Sequence, residues 1–458
     1  MFHRAGAPLA VTLIAAVLDS IVGISVTSAI AGVPVRPNFV VIMADDLGYG
    51  DISCFGDPGY QTPHLDRLAR EGLKLTDFHS NGAVCSPTRA ALLTGRYQQR
   101  ADIDGVIFAD PKQNRDHGLH PDEVTFAEAL GAVGYSTGIF GKWHLGYETQ
   151  FNPVRQGFDE FRGYVSGNVC YQAHFDRMGI ADWWHDDLLT PEEGYSTHLI
   201  TEHAIEFIKQ HREQPFCCYV AHEAVHSPFQ GPEDPAVREE GVVGDKNTVS
   251  KKEIPRAYAE MAREMDNGIG QIVATLKELK LAEKTLVLFF SDNGGTPNGN
   301  NGPLKGYKGS LWEGGHRVPF IAWHPGTIKA GSVSSETAMT MDIMPTLIQL
   351  ADAAEAVDHP LDGTSLVPVL YENGLLPERT LFWKAGNNWA VRRGSWKLVN
   401  MRRGRAQSDG PQLYHLGNDL GESEDVYAKH PELARSLQEE AVTWQADVAQ
   451  SAMQELVP

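Results

Sequence analysis

Phe39-Val40-Val41-Ile42-Met43 runs directly into Ala44-Asp45-Asp46, an apolar stretch of strand length that ends on two carboxylates. It reads as a buried strand. Three further segments share the design. Thr137-Gly138-Ile139-Phe140 leads to Gly141-Lys142-Trp143-His144, Phe216-Cys217-Cys218-Tyr219-Val220-Ala221 leads to His222 and His226, and Thr285-Leu286-Val287-Leu288-Phe289-Phe290 leads to Ser291-Asp292-Asn293. Helical patterns lie between them. The alternation predicts an α/β fold with a large, mostly parallel sheet flanked by helices. Open α/β sheets bind ligands beyond the carboxyl ends of their strands. Four strand ends that all deliver chemically able residues therefore predict a site on that edge.

The rest of the chain is read around this sheet. After Pro255, residues Tyr258, Met261, Met265, Ile269, Ile272 and Leu276 keep three- and four-residue spacing, a long helix with one apolar stripe. The segment from Gln230 to Ser250 is polar and without period, which predicts a surface loop at the pocket rim. From Leu381 the pattern shortens to strands and turns (381–384, 389–392, 396–400, 413–416), followed by an amphipathic helix over 431–448. This predicts a smaller C-terminal antiparallel sheet plus helix. The expected division is a signal peptide over 1–31, a catalytic domain over 36–375 and a C-terminal subdomain over 376–458.

Composition narrows the function class. The 458 residues suffice for two to three domains, with 42% hydrophobic and 21% charged residues as in ordinary globular proteins. A formal net charge of −20 argues against nucleic acid as a partner. It also leaves local cations in a pocket to hold any anionic substrate. Five cysteines are too few for a disulfide scaffold, and the adjacent Cys217 and Cys218 are expected to face opposite sides of a strand as core residues. Arg4, the apolar run from Leu9 to Leu18 and Ala29-Ile30-Ala31 read as a cleaved export signal, interrupted by Asp19 and so unsuited to stable membrane insertion. The expected location is periplasmic or secreted.

Two clusters carry the chemistry. Asp45-Asp46 and Asp292-Asn293 offer three carboxylates and an amide, hard oxygen ligands suited to Ca²⁺ or Mg²⁺ rather than zinc. Cys85-Ser86-Pro87-Thr88-Arg89 opens a short helix, with Pro87 in the place of the first helical residue and Gly95 in the place of a left-handed cap. The group at Cys85 is expected to meet free N–H groups and the positive end of the helix dipole. Arg89 follows one turn later on the same face.

The Cys-x-Pro-x-Arg run, its Ala90-Ala91-Leu92-Leu93-Thr94-Gly95-Arg96 continuation and the motifs above resemble the formylglycine-dependent sulfatases of the alkaline phosphatase superfamily, from about Asn38 to about Ala434. The stretches Leu413-Tyr414-His415-Leu416 and Asp419-Leu420-Gly421-Glu422 resemble that family's C-terminal signature. Tyr307, His64 and His316 stand where the family commonly has glycine, Asn and an aliphatic residue.

The resemblance implies that a maturation enzyme oxidises Cys85 to formylglycine, that Asp45, Asp46, Asp292, Asn293 and the modified Cys85 hold Ca²⁺, and that the hydrated aldehyde attacks sulfur. Asp292 then accepts a proton, Arg89 fixes the modified residue, and Lys142 and Lys308 stabilise the sulfate oxygens. His226 protonates the departing alcohol, and His144 removes a proton as sulfate leaves. His222, His174 and Trp184 are expected at the substrate. The last two lie in an aromatic insertion with Tyr171, Trp183 and His185 that suits a sugar ring. The implied substrate is a sulfated saccharide or aryl sulfate. The competing readings are a phosphonate monoester or phosphodiester hydrolase using the same modified cysteine, and a non-catalytic Ca²⁺-dependent binder of sulfated glycans.

Overall fold

The four apolar runs become neighbours. The computed structural model describes residues 33–246, 248–401 and 410–455, together with Met1. The strands in chain order are β1 Asn38–Ala44, β2 Leu73–His79, β3 Ser136–Lys142, β4 Glu160–Tyr164, β5 Trp184–His185, β6 Leu188–Leu189, β7 Phe216–Ala221, β8 Thr285–Ser291, β9 Arg317–Trp323, β10 Ser332–Ser334 and β11 Ala338–Met339. Among the described residues they form one sheet of order β10-β2-β9-β8-β1-β7-β3-β4-β5-β6, with β11 beside β2. Strands β8, β1, β7 and β3 are adjacent and parallel, with Met43 level with Phe290 and Ala221, and Ala221 level with Gly141. That register makes all four polar tails leave the sheet at the same edge.

Both faces are covered, as a central parallel sheet requires. Phe39, Val41 and Met43 of β1 enter one core while Val40, Ile42 and Ala44 enter the other. Cys217 and Cys218 divide in the same way and, like every described cysteine, are free. Helices α1 Pro63–Glu71, α2 Cys85–Thr94, α3 Phe126–Ala132, α4 Ser196–Gln210 and α5 Ile254–Glu278 pack around the sheet. α5 is the helix expected after Pro255, and its Met261 and Met265 fill core. The edges depart from the parallel pattern, since β9 is antiparallel to β8 and β2, and β5 to β4.

Strands β12 Thr380–Ala385, β13 Asn388–Arg393, β14 Trp396–Asn400 and β15 Gln412–His415 form the small antiparallel sheet. The terminal helix, Pro431–Glu455, extends past the expected end. Trp444 from that helix stacks on Phe382 of β12 at 5.0 Å and meets Tyr97, beyond α2, edge-on.

Beneath the small sheet lies a buried charged network with no sequence signature. Lys397 of β14 is fully buried and sits 2.9 Å from Glu313, 3.0 Å from Glu422 and 3.1 Å from His316 Nε2. His316, the residue at an aliphatic position of the family pattern, stacks on Trp383 at 4.3 Å. Glu313 and His316 flank a short helix after the Lys308 loop, so this network ties that loop to the C-terminal sheet.

Two expectations need correction. The 230–250 segment is not a plain surface loop, because Gln230 and Arg238 are buried. Gln230 accepts from Tyr171 N, and the Arg238 guanidinium donates to the carbonyls of Asn168 and Phe175. Pro87 is the third residue of α2, since the helix starts at Cys85 itself. It still sits in the first turn, where a missing N–H costs nothing. The leader expected over 1–31 falls, apart from Met1, outside the described residues. No described helix is long and apolar enough to cross a membrane.

Candidate active site

Helix α2 places Cys85 against the ends of β1 and β8. Gly95 closes the helix in the left-handed conformation at φ 64°, its N–H bonded to Ala91 O. At the other end, the hydroxyl of Thr88 accepts from Gly82 N and that of Ser86 accepts from Ile107 N at 3.2 Å. The 106–109 loop is thereby fixed beside the cysteine.

Opposite charges interleave here. Cys85 Sγ lies 3.4 Å from Asp45 Oδ1 and 3.4 Å from Lys308 Nζ. Lys142 Nζ is 2.5 Å from Asp45 Oδ2, and Lys308 Nζ is 2.5 Å from Asp46 Oδ1. Arg89 donates to Lys142 O at 2.8 Å and to Asp292 Oδ2 at 3.2 Å. Asp292 Oδ1 accepts from Asp46 N, and Asn293 Nδ2 donates to Asp46 Oδ1 at 2.9 Å. The Lys308 loop is pinned on both sides, Lys308 N on Gly295 O and Gly309 N on Ala83 O.

Burial and charge tune these groups in opposite directions. Burial, then Asp292 and Asp45, push the Cys85 thiol far above its usual range. Asp292 is raised to about 6 by burial and by Asp45. Asp46 goes the other way: burial opposes ionisation, yet Lys308, His226 and Asn293 hold it well below the carboxylate range.

These residues fit a divalent cation. One ligand atom from each of Asp45, Asp46, Cys85 and His226 lies within 4.8 Å of the others. Asn293 Oδ1 is buried with no hydrogen-bond partner among the described residues, an oxygen left for a cation. The donors are mainly hard oxygens, and Asp45, second to burial, raises the Asp292 carboxyl, a repulsion that a cation held between them would relieve.

The two histidines have different anchors. His144 Nε2 donates to Ile107 O at 2.9 Å, leaving Nδ1 without a partner among the described residues, and burial holds its pKa well below the usual value. The ring is packed by Gly167, where a Cβ would stand 2.8 Å from Nε2. His226 Nδ1 lies 2.6 Å from Ser227 O and 3.2 Å from Asn168 Nδ2, while Nε2 is 3.6 Å from Asp46 Oδ2. Burial pushes its pKa down to about 3, with Asp46 pulling upward.

A cavity of about 190 Å³ opens over Cys85, lined in part by His144, His226, Lys308, Asn168 and Phe108. Four residues expected to meet the sulfate or the sugar are not part of its lining. Lys142 is fully buried behind Asp45. His222 is fully buried with both ring nitrogens unpartnered among the described residues, and burial alone takes its pKa to about 3. His174 stacks on Trp183 at 4.2 Å and lines a separate cavity. Trp184 spends its indole N–H on Asp182. His174 and Trp183 thus pack on each other, and Tyr171 packs on Tyr195, instead of lining the cavity over Cys85.

Asn168 and Glu223 were missed. Asn168 holds His226 and Ser227 O, and Glu223 accepts from Val169 N at 2.8 Å and from the Ser196 hydroxyl. Asn168 lies in an aperiodic segment with no local signal. Glu223 follows His222 directly, and an acid next to a strand-end histidine was the available clue.

The Sulfatase family profile matches residues 37–353. The N-acetylgalactosamine-6-sulfatase of Canis lupus familiaris is 34% identical over 445 residues, covering 86% of this chain and 82% of that protein. Arylsulfatase A of Bos taurus is 33% identical, covering 87% of this chain and 85% of its own. The crystal structure of Ps i-CgsB in complex with k-i-k-neocarrahexaose superposes with a TM-score of 0.79 at 29% identity, covering 91% of this chain and 94% of that one.

Proposed function

The chain belongs to the sulfatase family and hydrolyses sulfate esters; we propose that its substrate is a sulfated carbohydrate, that Cys85 works as formylglycine, and that Ca²⁺ joins the carboxylate cluster. The observation that carries this reading is the convergence of Cys85, Lys308, His144 and His226 on one cavity above Asp45, Asp46 and Asp292. A carbohydrate is supported by the N-acetylgalactosamine-6-sulfatase relative and by the neocarrahexaose held in Ps i-CgsB.

The thiol is a poor nucleophile here, because burial and two carboxylates keep it protonated. Once oxidised, the residue is an aldehyde that adds water, and a hydroxyl of the resulting diol is the oxygen nucleophile that cysteine lacks. Asp45, Asp46, Asp292 and Asn293 would hold the cation, which supplies positive charge near the reacting oxygens. The chain's own residues do the rest. Lys308, at the cavity and within 3.4 Å of Cys85 Sγ, stabilises charge on the sulfate. Lys142 acts behind it, setting the orientation of Asp45 instead of touching substrate.

His226 turns Nε2 toward the cluster and is the proton donor to the departing alcohol. The anionic sulfate ester beside it favours the protonated ring that burial alone disfavours. A backbone carbonyl only accepts, so Ile107 O fixes the proton of neutral His144 on Nε2. Its free Nδ1 is the proton acceptor for sulfate release. Export to the periplasm or outside, with removal of residues 1–31, and encounter with a maturation enzyme belong to the same reading, as does the division into 36–375 and 376–458.

Mass spectrometry of the Cys85 peptide from protein made in its natural host tests the reading. Conversion lowers the mass by about 18 units, and release of sulfate should scale with the converted fraction. Sulfate release by fully unconverted protein would overturn the role given to Cys85.

A further inference from the structure

We propose that Arg177 forms a second anion subsite beside the sulfate site, so that the substrate is a saccharide bearing another sulfate or a carboxylate on, or next to, the ring that is desulfated. The inference rests on the sulfated-carbohydrate reading and narrows it.

Arg177 lines the same cavity as Cys85, Lys308 and His226. The chain carries 59 acidic residues, yet none of them is among the residues that line this cavity. A net charge of −20 cannot draw a polyanion from a distance, so recognition of one falls to the cations at the lining itself. Lys308 is one of them and is committed to the sulfate under attack. Arg177 is the other.

The neighbouring arginines are already engaged. Arg115 donates to Ala109 O at 2.8 Å, faces Asp176 at 3.8 Å and lies 4.2 Å over the Tyr147 ring. Arg238 pairs with Asp245 at 2.6 Å and donates to the carbonyls of Asn168 and Phe175. The Arg177 side chain is exposed and, among the described residues, makes no hydrogen bond or ion pair of its own.

Its backbone, in contrast, is fixed. Asp176 Oδ1 accepts from Met178 N at 2.8 Å and Ile180 N at 2.9 Å, and Phe175 bridges Ala181. Gly244 N donates to Arg177 O at 2.9 Å. A guanidinium on a braced turn loses little further backbone freedom on binding, and its planar fork matches a sulfate or carboxylate in two hydrogen bonds. Phe108, exposed and part of the same lining, supplies apolar surface for the intervening ring.

The test is calorimetric titration of the full chain carrying Cys85→Ala, with Ca²⁺ present, using monosulfated and disulfated N-acetylgalactosamine. Tighter binding of the disulfated sugar is expected. Adding Arg177→Gln should cut that preference about tenfold, and Arg177→Lys should restore part of it. The proposal is overturned by an absent preference in Cys85→Ala, by a preference that Arg177→Gln leaves unchanged, or by equal weakening of both sugars, which is what a merely structural role would give. Sulfate release from para-nitrophenyl sulfate by the unmutated chain is measured in parallel. Its presence leaves the hydrolase standing if Arg177 fails, and failure to bind either sugar while aryl sulfate is hydrolysed would remove the carbohydrate reading as well.

Discussion

His144 Nε2 hydrogen-bonds the carbonyl oxygen of Ile107, and Ile107 N in turn donates to the hydroxyl of Ser86 on α2. The residue next to Cys85 thus sets, through one loop, which nitrogen of His144 is free to take a proton. Gly167 completes the arrangement by leaving room for the ring. Gly167→Ala puts a methyl 2.8 Å from Nε2 and must displace the imidazole. The expected result is a loss of kcat of about 10²-fold, the scale of one misplaced general base, with the melting temperature little changed. Steady-state kinetics on an aryl sulfate, beside His144→Ala, checks this; near-native kcat in both variants would remove His144 from the mechanism.

Glu223 makes stability depend on pH. Burial raises its carboxyl from the ordinary 4.5 to about 8, with Asp45 adding to the rise and Arg238 opposing it. A group whose folded pKa lies above its unfolded value binds its proton more tightly in the native state. Its contribution is complete below about 4.5 and is lost as pH climbs through about 8. Glu223→Gln keeps an acceptor for Val169 N and never ionises. Its melting temperature relative to the wild type should therefore rise from about pH 5 to about pH 9. A constant difference across that range would show that Glu223 is ionised in the fold throughout.

Cation removal should be visible without any turnover assay. With Asp45, Asp46 and Asp292 massed together, Ca²⁺ held at this cluster would bind the folded chain better than the unfolded one, a stabilisation of about 2.7 kcal/mol at a hundredfold excess over Kd. Thermal melts with a chelator, then with added Ca²⁺, should differ by several degrees. Asp46→Asn together with Asp292→Asn should erase the difference.

Lys397 holds two buried carboxylates, Glu313 at 2.9 Å and Glu422 at 3.0 Å. Lys397→Met leaves both without their cation, and breaking a buried pair in this way costs about 3–5 kcal/mol. Denaturant unfolding measures it. Lys397→Met together with Glu313→Gln and Glu422→Gln should recover a good part, because no uncompensated charge then remains.

Strands β1, β3, β7 and β8 were legible because a buried strand needs a short apolar run, and periodicity reports that locally. Asp45, Asp46, Asp292 and Asn293 were legible for a related reason: polar residues that end such runs must sit at the strand edge. The outer strands β2, β4, β5, β6, β9, β10 and β11 were not read, nor was the antiparallel run of β9 against β8. Strand direction depends on the path of the connecting chain, which leaves no pattern in the strands themselves.

The aromatic insertion marks another boundary. His174, Trp183 and Tyr171 looked like a sugar platform by composition, yet His174 stacks on Trp183, and Tyr171 on Tyr195. Composition counts aromatic faces; only packing decides which of them remain free. Lys142 was expected at the sulfate oxygens, yet its ammonium is buried against Asp45.

By itself the sequence determined the four central strands, the helix cap at Gly95, the acidic pairs and the cysteine at the head of α2, all of which follow from chemistry within a few residues. Only the tertiary structure decided that β8, β1, β7 and β3 stand side by side, that Cys85 stays protonated, and that Lys397 is buried among Glu313, Glu422 and His316. The physical reason is range. Capping and periodicity act along a turn or two of chain, whereas burial and electrostatic field are sums over whatever distant segments the fold brings within a few ångströms.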